Sequence, residues 1–366
     1  MKSKMSILVL LASFIGAALA LLLILFLMLQ SGKLSKRIAT IALPAEGGYV
    51  EAWAPHLPQI ARNVGIPEVN IITYDNYDKL KSFFTQAEKY NLLWAEIPVS
   101  GRYNLEKLLS DVQTSSVDKK TVDYFPPALF KVLKNFSGRS DIRFLPLSYN
   151  PWIVVSKNKA PETTDFEYST GAYYPEAAFA TLCFARRLNE TDNHFLTIDE
   201  GLSDLKEMSN DKTFITNVRS YTYKDAYSVL ESNRVKKAFL PVNFYNSLTV
   251  SQRLELLIEP FPSGLITDVT VAVFANRKTE ELKSSIEKAK TYLLNPDLLY
   301  STANARLWMP AHINTISRSI YTDYIRKQAR QVKSCLIPGM QFDSRKEEEK
   351  LLEKLDIALR TDYLLP

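Results

Sequence analysis

The stretch IRFLPLSYNPWIVVS, residues Ile142–Ser156, contains two extended apolar runs on either side of the turn-prone tripeptide Tyr149-Asn150-Pro151. Branched and aromatic residues of this kind favour strands, whereas asparagine followed by proline favours a turn. We therefore predict that the chain leaves one lobe of the protein along the first run and enters a second lobe along the next.

The sequence before this stretch alternates between short apolar runs and longer amphipathic ones. We predict strands at Arg37–Leu43, Val69–Tyr74 and Leu92–Val99, with helices at Val50–Val64 and Tyr77–Tyr90 between them. Such an alternation is typical of an α/β lobe with a largely parallel sheet.

A second long extended run, Ile266–Asn276, is predicted to return between the lobes and to lead into a helix at Thr279–Leu294. The two extended runs bracket a central block of sequence. The predicted domain division is residues 1–36 for a membrane anchor and linker, 37–147 plus about 272–315 for the first α/β lobe, 148–271 plus about 316–340 for the second, and 341–366 for a C-terminal amphipathic helix.

The C-terminal helix is indicated by a dense charged face and by leucines at helical spacing, Leu351, Leu352, Leu355 and Leu359. We expect a surface helix that packs this stripe on the body of the protein. The alternative is a helix that docks a partner.

Near the N-terminus, Ile7–Leu29 is an uncharged apolar run, long enough as a helix to cross a hydrocarbon core of about 30 Å. Ala18-Leu19-Ala20 is similar to a signal-peptide cleavage site, but strongly apolar sequence continues beyond it. An uncleaved transmembrane anchor is the expected state, with a cleaved signal peptide as the alternative. Basic residues flank both ends of the run, so they set no orientation.

Composition and motifs exclude several classes of function. The formal net charge is only +5 and the basic residues are scattered, so we predict no nucleic-acid binding. The sequence has no HExxH, GxSxG, GxxxxGK[ST] or GxGxxG motif, and Cys183 and Cys335 lack the CxxC spacing of zinc or redox sites. We predict a protein that is not an enzyme, without cofactor or metal. An enzyme with two carboxylates facing each other across a cleft stays open as an alternative.

Three stretches together resemble bacterial extracellular solute-binding proteins, especially the sugar-binding subunits of ABC importers. They are FLPLSYNPWIVVSKNKAP (Phe144–Pro161), EPFPSGLITDVTVAVFANRKTEEL (Glu259–Leu282) and SSIEKAKTYLLNPDLLYSTANARLWMPAHIN (Ser284–Asn314). Their order and spacing match over roughly residues 37–331. The chain departs from the family in lacking a lipoprotein cysteine and in having Asp268-Val269-Thr270-Val271 where glycines are frequent.

The resemblance implies a two-lobed, periplasmic-binding-protein-like fold of type 2, here preceded by the transmembrane helix. It implies capture of a small polar solute between the lobes, with a carbohydrate as the expected class, and presentation of that solute to ABC permease subunits. The expected location is the bacterial cytoplasmic membrane, with a single pass through residues 7–29 and the main domain on the periplasmic side. The alternative is an interaction or sensory subunit that retains the fold without transport.

Aromatic and polar side chains near strand ends and the hinge supply the predicted ligand site. Aromatic rings pack on the apolar faces of sugars, carboxylates bond hydroxyl groups, and open α/β sheets place ligands at the carboxyl ends of their strands. The predicted ligand-binding residues are Tyr49, Trp94, Glu96, Tyr149, Trp152 and Trp308.

Overall fold

The computed structural model of the chain describes residues 38–136, 141–159, 162–172, 174–189, 198–211, 213–215, 222–259, 264–276, 280–315, 320–342 and 344–359. The predicted anchor at residues 7–29 lies outside these ranges. Among the described residues, every helix is either too short or too polar to span a bilayer.

The described residues form a mixed α/β structure. Its strands are β1 Ile38–Pro44, β2 Glu68–Tyr74, β3 Leu92–Pro98, β4 Phe144–Lys157, β5 Phe166–Thr170, β6 Phe214–Ile215, β7 Val235–Pro241, β8 Leu256–Ile258, β9 Leu265–Phe274, β10 Met309–Pro310 and β11 Cys335–Leu336.

Its α-helices are α1 Tyr49–Trp53, α2 Leu57–Val64, α3 Tyr77–Thr85, α4 Ala87–Tyr90, α5 Leu105–Asp111, α6 Pro127–Phe136, α7 Pro175–Asn189, α8 Ile198–Asn210, α9 Tyr223–Glu231, α10 Val242–Ser247, α11 Val250–Leu254, α12 Glu280–Tyr292, α13 Pro296–Ala305, α14 Ile320–Gln331 and α15 Arg345–Leu359. Short 3₁₀ helices occupy Ala54–His56, Lys119–Tyr124 and Pro338–Gln341.

The main strands are hydrogen-bonded in the order β2-β1-β3-β9-β4-β7-β5-β6, with β8 and β10 added on β4 and β11 on β9. The β2-β1-β3 group is parallel, as the alternation of elements in the sequence predicted, and so is the β7-β5-β6 group. The two groups are joined through β9 and β4, whose contacts with their neighbours β3 and β7 and with each other are antiparallel.

Strand β4 corrects one prediction. The tripeptide Tyr149–Pro151 is not a turn: it continues the strand and pairs with Thr267–Val269 of β9. A proline has no N–H group to donate, so within sheets it is tolerated mainly where a ladder is interrupted. Pro151 stands at such a place, because β4 pairs with β9 up to this residue and with β7 from Trp152 onward. The two long extended segments of the sequence therefore lie side by side.

The predicted helix Val50–Val64 is divided into α1, a 3₁₀ turn and α2. Pro55 and Pro58 lie within it, and each removes a backbone donor that a continuous helix would use. Gly65 ends α2 in a left-handed conformation at φ 73°. The break shortens α1 and leaves Tyr49 and Trp53 next to the end of β1.

The C-terminal helix α15 packs on α7 and α8 through its leucine stripe. Leu351 and Leu355 are buried, whereas Leu352 is half-buried. The ring of Phe342, just before the helix, meets Phe179 of α7 edge-on with 5.7 Å between centroids. These contacts fit the expected surface helix on the body of the protein.

Candidate functional site

A cavity of about 740 Å³ opens at the carboxyl ends of β1 and β3 and beside the middle of β4 and β9. This is the edge at which open α/β sheets bind ligands. Its polar and aromatic lining comprises Glu46, Tyr49, Ser100, Arg102, Tyr103, Asn150, Tyr174, Glu176, Asn243, Asp268, Trp308, Glu348 and Glu349.

Tyr49 reaches the cavity because the chain turns sharply after β1. Gly47 and Gly48 have φ values of 87° and 73°, which glycine adopts without the steric penalty of other residues. A Cβ atom on Gly47 would also lie 2.9 Å from the Tyr49 ring. The two glycines therefore allow α1 to start directly at the cavity and to place Tyr49 in its wall.

Trp308 reaches the cavity through the end of α13. Leu307 has a positive φ of 60°, and the Trp308 N–H donates back to the Ala303 carbonyl at 2.9 Å. This is the kind of left-handed cap that commonly ends a helix. Met309 then pairs with Tyr149 of β4, so the cap and the short strand β10 together fix the backbone of Trp308 beside the sheet.

Glu96 of β3 lies behind this part of the cavity and holds two other side chains. Its Oε2 accepts a hydrogen bond from the Trp53 indole N–H, and its Oε1 is 3.1 Å from a guanidinium nitrogen of Arg306. The side chains of Arg306 and Glu96 are only 5% and 3% exposed. The carboxylate is therefore satisfied by one neutral and one cationic donor within the protein.

The Arg306 guanidinium also lies between two aromatic rings of the cavity wall. Its central carbon is 3.5 Å from the Tyr49 ring centroid and 4.2 Å from that of Trp308. Its Nε donates to the Gly47 carbonyl at 3.3 Å. We call Tyr49, Glu96, Arg306 and Trp308 the arginine wall. Its charges are paired and its rings are held in place.

The acidic wall, Glu176 and Asp268, faces the same cavity. Asp268 of β9 pairs directly with Asn150 of β4 at the point where β4 changes neighbours. Asn150 is itself held by Asn243, whose backbone N–H donates to the Asn150 Oδ1 at 2.9 Å. Glu176 stands in the first turn of α7, where the helix dipole favours a negative charge.

Burial raises the pKa of the Asp268 carboxyl well above its usual value, and the nearby Glu176 charge adds to the rise, while Asn150 and Arg306 oppose it. Burial likewise raises the pKa of Glu176, against the effects of its own backbone N–H and of Arg102. Among the described residues, no lysine or arginine forms an ion pair with either carboxylate. Arg102, which lines the cavity, bonds Glu46 at 3.3 Å and the Asp75 carbonyl at 2.9 Å.

The structure brings together three of the six predicted ligand-binding residues. Tyr49 and Trp308 line the cavity, and Glu96 supports both of them through Arg306. Their contact with a ligand stays a prediction.

Trp94, Tyr149 and Trp152 lie in the core instead, each no more than 1% exposed, and none of them lines the cavity. Trp94 meets Trp53 edge-on at 6.1 Å, and Trp152 stacks on Phe239 at 6.5 Å. These three rings pack in the core because a strand alternates its side chains between two faces and both faces are covered here.

Sequence reasoning missed Arg306, Glu176 and Asp268. The resemblance had marked Asp268 only as a departure from a glycine-rich strand. No local motif surrounds the other two, and their neighbours in the site are distant in sequence. A signal for Arg306 does exist in Ala305-Arg306-Leu307-Trp308, where a helix ends just before a proline-containing strand.

No protein-family profile matches the chain, and no curated protein is similar to it in sequence. Solved structures are similar in fold. The bacterial solute receptor AcbH, described as having an exclusive preference for β-D-galactopyranose, aligns with a TM-score of 0.62 at 12% identity over 88% of this chain and 95% of AcbH. The chain has the fold of bacterial ABC solute-binding proteins.

Two further structures illustrate the chemical range of this fold. The GacH receptor of Streptomyces glaucescens, solved with acarbose, aligns with a TM-score of 0.58 at 11% identity over 89% of this chain and 94% of GacH. The spermidine/putrescine-binding protein PotD of Streptococcus pneumoniae aligns with a TM-score of 0.57 at 11% identity over 88% of this chain and 99% of PotD. Ligand class therefore has to be argued from the residues of this chain.

Proposed function

We propose that this protein captures a small polar solute in the cavity between the arginine wall and the acidic wall and presents it to an ABC permease. The observation that carries the proposal is the cavity itself, about 740 Å³ in volume and lined by polar and aromatic side chains where β4 and β9 connect the two parallel groups of strands. A site at such a junction can close around a solute by a hinge motion of one group against the other.

The predicted domain division agrees with this role and stays part of the proposal. In it, β1–β3 belong to the first lobe and β5–β7 to the second, and β4 and β9 cross between them. Closure would exclude water from the solute, and each polar contact would then strengthen in the lower dielectric. The closed form is the shape that a permease would recognise.

The charges of the cavity favour a solute that donates hydrogen bonds. Arg306 and Arg102 already bond Glu96 and Glu46, so neither offers an unpaired charge to an anion. Glu176 and Asp268 offer acceptor oxygens, and Tyr49 and Trp308 offer ring surfaces. Hydroxyl groups above an apolar ring face fit both features, and we infer a carbohydrate as the solute.

A thermal-shift screen of the full chain tests capture. Neutral mono- and oligosaccharides, amines and acidic sugars would each be added at millimolar concentration, because a ligand that binds the folded state raises the unfolding temperature. We expect a rise with at least one neutral sugar and none with acidic sugars. A flat response to the whole panel would contradict solute capture and favour an interaction or sensory subunit.

The membrane anchor and the periplasmic location form the second part of the proposal. They rest on the uncharged run Ile7–Leu29, which exceeds the apolar core of a signal peptide. N-terminal sequencing of the mature protein from membranes tests the anchor. A mature chain that begins at Leu21 or later would show that the segment is cleaved.

A further inference from the structure

We propose that Arg306 is the positioning residue of the solute site, which fixes the rings of Tyr49 and Trp308 as stacking surfaces for an uncharged, hydroxylated ring. The ligand part of this inference rests on the proposed function. The positioning part rests on the contacts of Arg306 alone and can be measured without a ligand.

The guanidinium group is held from every side. Tyr49 and Trp308 cover its two faces at 3.5 and 4.2 Å, Glu96 takes one of its edges at 3.1 Å, and the Gly47 carbonyl takes another at 3.3 Å. A planar cation with several fixed donors can make all these contacts at once, whereas an ammonium group is a compact charge that cannot cover two rings.

The supports of Arg306 come from distant parts of the chain. Tyr49 and Gly47 follow β1, Glu96 lies on β3, and Trp308 follows α13. The Trp53 N–H fixes the second oxygen of Glu96. Arg306 therefore links the segment after α13 to the carboxyl ends of β1 and β3, and its removal would release both rings together.

The arrangement also restricts what can stack on the free surfaces of the rings. Each ring face accepts one group, and Arg306, itself almost fully buried, occupies one face of each. A second cation on the other face of Trp308 would meet the repulsion of the guanidinium across the ring. The apolar face of a neutral sugar has no such penalty and can direct its hydroxyl groups to Glu176 and Asp268.

Tryptophan fluorescence of the full chain gives a direct measurement. The sequence has four tryptophans, and Trp53, Trp94 and Trp152 are each no more than 1% exposed. Trp308 is half-buried at the cavity. Quenching by acrylamide therefore reports chiefly on Trp308, and Trp308→Phe gives the background from the other three.

We expect Arg306→Met to raise the Trp308 quenching constant roughly two-fold, because the indole loses the group that covers one of its two faces. Arg306→Lys should give a quenching constant between those of the wild type and Arg306→Met. If Arg306→Met does not fold, Arg306→Lys is compared with the wild type instead. Arg143→Met is the matched control, since Arg143 forms a partly buried ion pair with Asp141 at 2.7 Å and does not line the cavity.

Unchanged quenching in both Arg306 variants, or an equal rise in Arg143→Met, would overturn the positioning role. The same proteins are then titrated with the neutral sugars of the screen. Arg306→Met should weaken binding of a responding sugar roughly ten-fold, as expected for loss of aromatic packing. Unweakened binding would overturn the ligand part, whereas raised quenching without any sugar binding would keep the positioning role and contradict the proposed function.

Discussion

The arginine wall and the acidic wall face the same cavity but differ in how their charges are satisfied. In the arginine wall, Glu96 and Arg306 pair with each other at 3.1 Å and are almost fully buried. In the acidic wall, Glu176 and Asp268 are half-buried like charges, and no described lysine or arginine pairs with either.

This difference gives the two walls different roles, one in the structure of the cavity and one in recognition of the solute. A buried ion pair with all its hydrogen bonds in place is rigid, and losing one partner costs much more than the pair contributes. Two desolvated carboxylates without a cation destabilise the empty protein, and a ligand that donates hydrogen bonds relieves that cost. The arginine wall therefore shapes the cavity, and the acidic wall is where a solute gains affinity.

Breaking the arginine wall should have the largest effect. We expect Glu96→Ala to lower the free energy of unfolding by about 3–5 kcal/mol, because it leaves a buried guanidinium unpaired. Urea denaturation measures this. Glu46→Ala is the control, since Glu46 is 78% exposed in its pair with Arg102 and should cost no more than about 1 kcal/mol. Equal losses in the two variants would contradict the contrast between buried and exposed pairs.

Removing a ring at the cavity should reduce affinity rather than stability. We expect Trp308→Ala to weaken binding of a responding solute by about 1–3 kcal/mol, the value of burying a large apolar side chain. Trp152→Phe is the comparison, because Trp152 lies in the core and should affect the unfolding temperature alone. Calorimetric titration of both variants distinguishes the two roles, and a loss of affinity only in the Trp152 variant would reverse them.

Neutralising the acidic wall should stabilise the empty protein, by less than the loss from Glu96→Ala. Because the pKa of Asp268 is raised in the folded state, the folded carboxyl binds its proton more tightly than the unfolded one. The protonated Asp268 carboxyl therefore contributes its full stabilisation of the folded state at low pH. That stabilisation is lost as pH rises through the raised pKa. Asp268→Asn should therefore be more stable than the wild type at neutral pH, with the difference vanishing near pH 3.

Urea denaturation across this pH range measures the effect of Asp268→Asn. The exposed Asp165, paired with Arg234 at 3.2 Å, gives the control variant Asp165→Asn, which should not be stabilised. A destabilised Asp268→Asn protein at neutral pH would mean that the carboxylate is satisfied without a solute.

The smallest effect is expected far from the cavity. Lys354 of α15 and Asp199 of α8 form an ion pair at 3.0 Å with both side chains more than half exposed. Lys354→Ala should change the free energy of unfolding by no more than about 0.5 kcal/mol. A larger loss in urea denaturation would show that α15 is attached to the body by charge as well as by Leu351 and Leu355.

Strand and helix positions could be predicted where local periodicity was strong. The alternation from Arg37 to Val99 gave β1–β3 to within one residue, because each strand carries its own apolar pattern, whereas each of the two predicted helices is divided in the structure. The course of Tyr149–Pro151 could not be predicted in this way. Whether the chain turns at Asn150-Pro151 or continues as a strand depends on its pairing with β9 and β7, which are distant in sequence.

The site was predicted only in part for the same reason. Tyr49 and Trp308 stand where the strand–helix pattern of the sequence is interrupted, and such interruptions place side chains at the surface. Trp94 and Trp152 stand within strands, where sequence does not tell which face is open. Arg306 becomes a site residue only when β1, β3 and α13 converge, and that is tertiary information.

The central claim, solute capture between the two walls, is tested most directly by isothermal titration calorimetry of the full chain with neutral sugars. We expect one sugar to bind with a one-to-one stoichiometry, with affinity reduced in Trp308→Ala and Glu176→Gln and unchanged in Trp152→Phe and Asp165→Asn. Binding that is indifferent to both cavity variants, or no heat with any solute, would contradict the account.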